Sequence, residues 1–135
     1  MNTTAATASA GPLLLVADDD RDSADQLALL LQAALQCEVV TAYDGGDALA
    51  QALARSPVAM VLDLEMPVFS GAEVASRVRA ACPVPPLLLV VSGNAPALRA
   101  LQAAAVPVFD SSFGKPLRFE QLLVALVDRA GLVAH

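Results

Sequence analysis

The chain has 135 residues, enough for one domain with a substantial core and too few for two. Apolar residues make up 56% of it, led by alanine, leucine and valine, yet no apolar stretch approaches the length of a membrane span. A formal net charge of -6, with the 8 basic residues scattered, argues against direct nucleic-acid binding.

Residues 1–12 are mostly small and polar, lack the basic start and apolar middle of a signal peptide, and read as a disordered leader. Leu13 to Ala17 predicts a first strand, ending in Asp18-Asp19-Asp20. Asp22 to Gln36 is expected to be helical, with Leu27, Leu30, Leu31 and Leu35 on one face. Glu38 to Ala42 is the second strand, and Asp44 to Arg55 a helix weakened at its start by two glycines. Val58 to Leu62 is the third strand; Asp63 ends it, and a Pro/Gly loop follows through Pro67 and Gly71. Gly71 to Ala81 predicts the third helix, after which Pro83, Pro85 and Pro86 break the chain. Leu87 to Val91 is the fourth strand, closed by Ser92, and Pro96 to Ala105 an alanine-rich helix. Val106 to Gly114 must hold the fifth strand, made irregular by Pro107 and followed by Lys115-Pro116. Arg118 to Ala130 closes the domain as an amphipathic helix through Leu122, Leu123, Leu126 and Val127, and residues 132–135 form a short tail.

Strand–helix repeats with short connections imply a doubly wound, mostly parallel α/β sheet with helices on both faces. Such sheets place ligands and chemistry at the carboxyl ends of their strands. An acid cluster, a single acid, a hydroxyl and a lysine each stand at a strand end here. Carboxylates crowded at one sheet edge stay ionised together only if a cation offsets them. Oxygen ligands without His or Cys favour Mg2+, with Mn2+ as the alternative. One residue of Asp18 to Asp22 could instead serve as a helix cap, but capping needs one acid and not three. The only histidine is His135, so no internal histidine serves as phosphodonor, general base or metal ligand. Cys37 and Cys82 lack CxxC spacing and read as free thiols of a reducing cytoplasm.

The order of these elements resembles the receiver domain of two-component response regulators. The matching segments are Leu15-Val16-Ala17-Asp18-Asp19-Asp20, Val61-Leu62-Asp63 through Gly71, Val90-Val91-Ser92-Gly93 and Gly114-Lys115-Pro116-Leu117, within a domain spanning residues 13–131. The resemblance implies a five-stranded sheet of order 2-1-3-4-5, whose switch point falls between strands 1 and 3. It implies that Asp63 is the phospho-acceptor. The metal would be held by Asp19, Asp63 and the backbone carbonyl of Glu65, with Asp18 acting through water. Lys115 and Ser92 would steady the phosphoryl oxygens, and the Lys115–Pro116 bond would be cis. The phosphodonor would be a histidine kinase or phosphotransfer protein, and an unidentified downstream protein would read the result. The protein would be a signalling module and not an enzyme acting on other substrates. Glu65 and Asn94 are expected to tune the lifetime of the phosphoryl group.

The sequence departs from the family where an aromatic is expected, three residues before the lysine: Ser112 stands there, with Phe109 and Phe113 nearby. Alternation points Phe113 to the opposite face from Ser112, into the core. A dehalogenase-type phosphotransferase also uses a strand-end Asp, Mg2+ and Lys, but it needs an acid/base Asp where Glu65 stands, and a cap for which there is no length. A pure interaction domain would not require the acids, Ser92 and Lys115 together. No length remains after Ala130 for an output domain, so the chain reads as a stand-alone receiver or as the receiver of a larger protein.

Overall fold

The computed structural model describes residues 11–135; the expected leader, apart from its last two positions, lies outside the described residues. The elements follow one another as β1 (Leu13–Ala17), α1 (Arg21–Ala34), β2 (Glu38–Ala42), α2 (Gly45–Arg55), β3 (Ala59–Asp63), α3 (Gly71–Ala81), β4 (Leu87–Ser92), α4 (Ala95–Gln102), β5 (Ser111–Gly114) and α5 (Phe119–Ala130). The strands form one parallel sheet of order β2-β1-β3-β4-β5, as the resemblance implies. The chain order reverses between β1 and β3, so their carboxyl ends flank the crevice where such folds bind ligands.

Alternation along the strands divides the core in two. Leu14, Val16, Val61, Leu89 and Val91 face α1 and α5, where they meet Ala24, Leu31, Leu122 and Leu126. Leu15, Ala17, Met60, Leu62, Leu88 and Val90 face α2, α3 and α4, against Ala48, Ala52, Val74, Val78 and Leu98. Both faces of β1, β3 and β4 are therefore buried, which is why their sequences run apolar without a polar alternate.

Several boundaries differ from expectation for identifiable reasons. α1 ends at Ala34 and not Gln36: Leu35 turns extended and bridges Ala134, while the Gln36 N–H donates to the Val133 carbonyl at 2.7 Å. The last residues thereby pack against the end of α1, with Leu132 buried. The buried stripe of α1 is Ala24, Ala28 and Leu31, and Leu30 is 53% exposed at its flank. The start of α2 is not weakened by its glycines. Asp44 caps it by accepting from the Asp47 N–H at 2.7 Å, and a side chain on Gly45 would collide with the Phe69 carbonyl. α4 stops at Gln102, because the alanines beyond it are exposed and bury no apolar face. β3 extends by one residue to include Asp63, which pairs with Val91.

Candidate functional site

The site is a ring of strand ends. Asp18 and Asp19 follow β1, Asp63 ends β3, Ser92 ends β4, and Lys115 follows β5. Parallel pairing in register brings all of these to one edge of the sheet. Carboxylate oxygens of Asp18, Asp19 and Asp63 lie within 4.8 Å of one another. The Lys115 ammonium sits 3.4 Å from Asp63 Oδ1 and 3.7 Å from Asp18 Oδ2. Its position is fixed from behind, since its own N–H donates to the Ser92 carbonyl at 3.0 Å. The Lys115–Pro116 bond is cis.

Each side chain is held by local structure. Asp18 Oδ1 accepts from the Asp20 N–H at 2.9 Å, which fixes its carboxylate at the strand end. Asp20 opens α1 and accepts from the Ser23 hydroxyl, a bond that lowers its pKa. The loop after Asp63 is tied back by Leu64 N–H to the Val91 carbonyl and by Gly71 N–H to the Leu64 carbonyl. Gly71 is required there, because a Cβ would collide with the Asp63 carbonyl. Ser70 and Glu73 then close a capping box that starts α3. Ser92 is buried, and its hydroxyl accepts from the Asn94 N–H at 2.9 Å. The Asn94 side chain caps α4 through the Ala97 N–H. Glu65 is exposed in the loop beyond Asp63.

The electrostatics follow from this crowding. Burial, then the neighbouring Asp18 carboxylate, push Asp63 up to about 6, and the Lys115 ammonium offsets only part of the shift. Lys115 loses some charge stability by burial, but Asp63 and Asp18 outweigh that loss and hold its pKa above the usual lysine value. One ammonium does not neutralise three carboxylates, and the donor set is all oxygen. Asp18, Asp19 and Asp63 therefore fit a hard divalent cation.

A cleft of about 310 Å³ runs sideways from Asp63 and Lys115, between the first turns of α1 and the segment Pro116 to Phe119. Leu27 and Leu30 form its α1 wall and Leu117 lines the other. On the far side of the sheet edge, Ser112 Oγ accepts from Gln102 Nε2 at 2.6 Å. Phe113 packs into the α1–α5 core face, and Phe109 is buried on the other face beside Leu98.

Two features escaped the sequence. Arg21 lies over the Tyr43 ring, 4.2 Å from its centroid. Asp110, before β5, binds Arg79, Arg129 and the Leu88 N–H. Neither has a motif; a charged residue bordering an irregular strand was the only hint of the second.

Fold and site together define a doubly wound α/β protein with an acidic crevice at its switch point. Residues 14–127 match the response regulator receiver domain, and the chain belongs to that family, the receiving module of two-component systems. It is 42% identical over 74 residues to the transcriptional regulatory protein PrrA of Mycobacterium bovis, covering 55% of this chain and 31% of that protein. It is 33% identical over 118 residues to protein-glutamate methylesterase/protein-glutamine glutaminase 2 of Pseudomonas fluorescens, covering 82% of this chain and 32% of that one. The chain thus spans about a third of the length of these curated relatives. Among solved structures it is similar to the response regulator protein TrrA of Thermotoga maritima in complex with Mg2+–BeF. There the identity is 25%, the TM-score 0.75, and the match covers 86% of this chain and 96% of that one. Among the described residues no helix is long and apolar enough to cross a membrane.

Proposed function

We propose that Asp63 accepts a phosphoryl group from the phosphohistidine of a kinase or phosphotransfer protein in a Mg2+-dependent reaction. The observation that carries this reading is the convergence of two carboxylates, Asp18 and Asp19, and one ammonium on the largely buried strand-end Asp63. Asp19 and Asp63 would hold the ion with the Glu65 carbonyl, and Asp18 would act through a water. When bound, Mg2+ supplies the positive charge that lets phosphodonor and carboxylates approach one another. A carboxylate oxygen of Asp63 attacks phosphorus, the P–N bond to the donor imidazole breaks, and the imidazole leaves with a proton. Lys115 pairs with a phosphoryl oxygen in place of Asp63 Oδ1. Ser92 has its oxygen engaged by the Asn94 N–H, so its proton is free to donate to another. The α1 wall of the cleft, with Leu27 and exposed Leu30 beside the acceptor, suits the apolar face of the donor's helices.

The product is an acyl phosphate whose formation and hydrolysis are the only chemistry the module supports. It acts in the cytoplasm, and a downstream protein reads its altered surface. The test is labelling with acetyl phosphate, or with beryllofluoride, in Mg2+, followed by intact mass and amide spectra. The wild type should gain one adduct and Asp63→Asn none; Lys115→Ala should still label but respond weakly. An adduct at wild-type yield in Asp63→Asn would sink the assignment.

A further inference from the structure

Arg21 follows the acid cluster directly and stands where a cation is poorly placed. It opens α1, and the unpaired N–H groups of a first helical turn repel positive charge. Asp18, Asp19 and Asp20 precede it, and Asp22 follows. Asp25 is its neighbour one turn along the helix, the ordinary spacing for an ion pair. Yet among the described residues Arg21 pairs with none of these acids.

It lies instead on Tyr43, just beyond β2, with its guanidinium carbon 4.2 Å from the ring centroid. The ring is fixed at two points. Its hydroxyl donates to Asp25 Oδ1 at 2.6 Å and accepts from the Thr41 hydroxyl at 3.2 Å. Tyr43 thus occupies the carboxylate that Arg21 would otherwise meet along the helix, and offers its face in return. A guanidinium released from that face has Asp19 and Asp18 two and three residues before it in the chain, and competes for them as well as for Asp25. Its planar fork matches a carboxylate and would cover the oxygens that a hard cation needs.

We infer that Tyr43 is a positioning residue for the metal site: it holds Arg21 on its ring and so keeps that cation off Asp18, Asp19 and Asp63. The inference rests on the metal reading of the site proposed above. A cation–π stack of this kind shifts an equilibrium by about two- to fivefold, which sets the size of the effect.

The experiment is Mg2+ titration of the full chain by calorimetry. Tyr43→Leu keeps apolar bulk and removes the aromatic face, so Mg2+ should bind about two- to fivefold more weakly. Tyr43→Phe keeps the face and should bind as the wild type does. In an Arg21→Gln background, Tyr43→Leu should cause no further loss. Wild-type affinity in Tyr43→Leu, an equal loss in Tyr43→Phe, or a loss that persists in the double variant would each overturn the role of Tyr43. A wild type that binds no Mg2+ would instead remove the metal reading, and this inference with it. Independently of variant folding, the Arg21 side-chain N–H resonance of the wild type should be ring-current shifted; an unshifted resonance would mean that the stack is absent.

Discussion

At Asp63, the placement that suits the proposed acceptor also strains the resting protein. Its side chain is 11% exposed, and burial and Asp18 push its pKa from 3.8 up to about 6. The folded state therefore holds that proton more tightly than the unfolded chain. The resulting stabilisation is fully present below pH 3.8 and is lost as the pH rises through about 6. At neutral pH the ionised carboxylate is a net cost to the metal-free fold. Asp63→Asn should then unfold at higher urea concentration than the wild type at pH 7 without divalent cations, by about 1–2 kcal/mol. The gap should close toward pH 4, and Mg2+ should narrow it at pH 7 by stabilising only the wild type. A wild type as stable as the variant throughout this range would mean that Asp63 is well solvated. Asp18, Asp19 and Asp63 were legible in the sequence because they stand where apolar runs stop, and a strand end fixes a side chain's place in an open sheet; Lys115, after the polar strand Ser111–Gly114, was legible only through the Gly114-Lys115-Pro116 segment of the family resemblance. Arg21 and Tyr43 were not, because a stack between a helix start and a strand end leaves no mark in either segment alone.

Among the elements, the β3–α3 loop holds the most strained backbone near the site. Val68 has φ 71°, and the Phe69 N–H donates across it to the Pro67 carbonyl at 2.9 Å. That is a γ-turn of the strained hand, centred on a β-branched residue. The same Pro67 carbonyl accepts from Gly45, so the turn docks the loop on the start of α2. Val68 is 71% exposed, so its side chain contributes little to the core. Val68→Gly should stabilise the protein by about 1 kcal/mol, since the relief of strain exceeds the added entropy of the unfolded chain. Destabilisation in a chemical melt would show that the valine methyls, which approach Gly46, matter more than the dihedral. Leu62→Ala, at a fully buried position of β3, should cost about 2–5 kcal/mol in the same assay; a loss well under 1 kcal/mol would mean that the strand is not central. The central strands were readable because burial on both faces removes polar residues from them. Helix ends were less readable: Leu35 and Gln36 continue a helical pattern, but pairing with residues 133 and 134 draws them out of it. Ala103 to Ala105 favour helix locally, and the lack of a surface to cover overrides that preference.

Across the molecule, the way a phosphoryl group at Asp63 could be felt at a distance depends on which parts are free to move. β5 is firmly tied at the edge opposite the site. Asp110 accepts from the Leu88 N–H at 2.7 Å and pairs with Arg79 at 3.3 Å. Arg79 also donates to the Val108 carbonyl, and Arg129 donates to the Asp110 carbonyl and the Ser111 hydroxyl. The entry to β5 is thus fastened to α3, β4 and α5 at once. Phe109 is already buried, and Ser112, where the family carries an aromatic, has no ring to turn. α4 is held far more lightly, by the Asn94 cap, buried Leu98 and the Gln102–Ser112 bond. Ser92 and Asn94 form one turn, so drawing the Ser92 hydroxyl toward a phosphoryl oxygen would pull on the Asn94 N–H bonded to it, at the root of that helix. The response to Mg2+ and beryllofluoride should therefore concentrate on residues 92–102, with small amide shifts over Ser111 to Phe113. Asp110→Ala should unfasten β5 and let the shifts spread into it, while Ser112→Ala should leave the pattern over residues 92–95 intact. Large shifts confined to the β5 face of the wild type would overturn this account, and would show that Phe109 or Phe113 carries the signal outward in place of the missing aromatic.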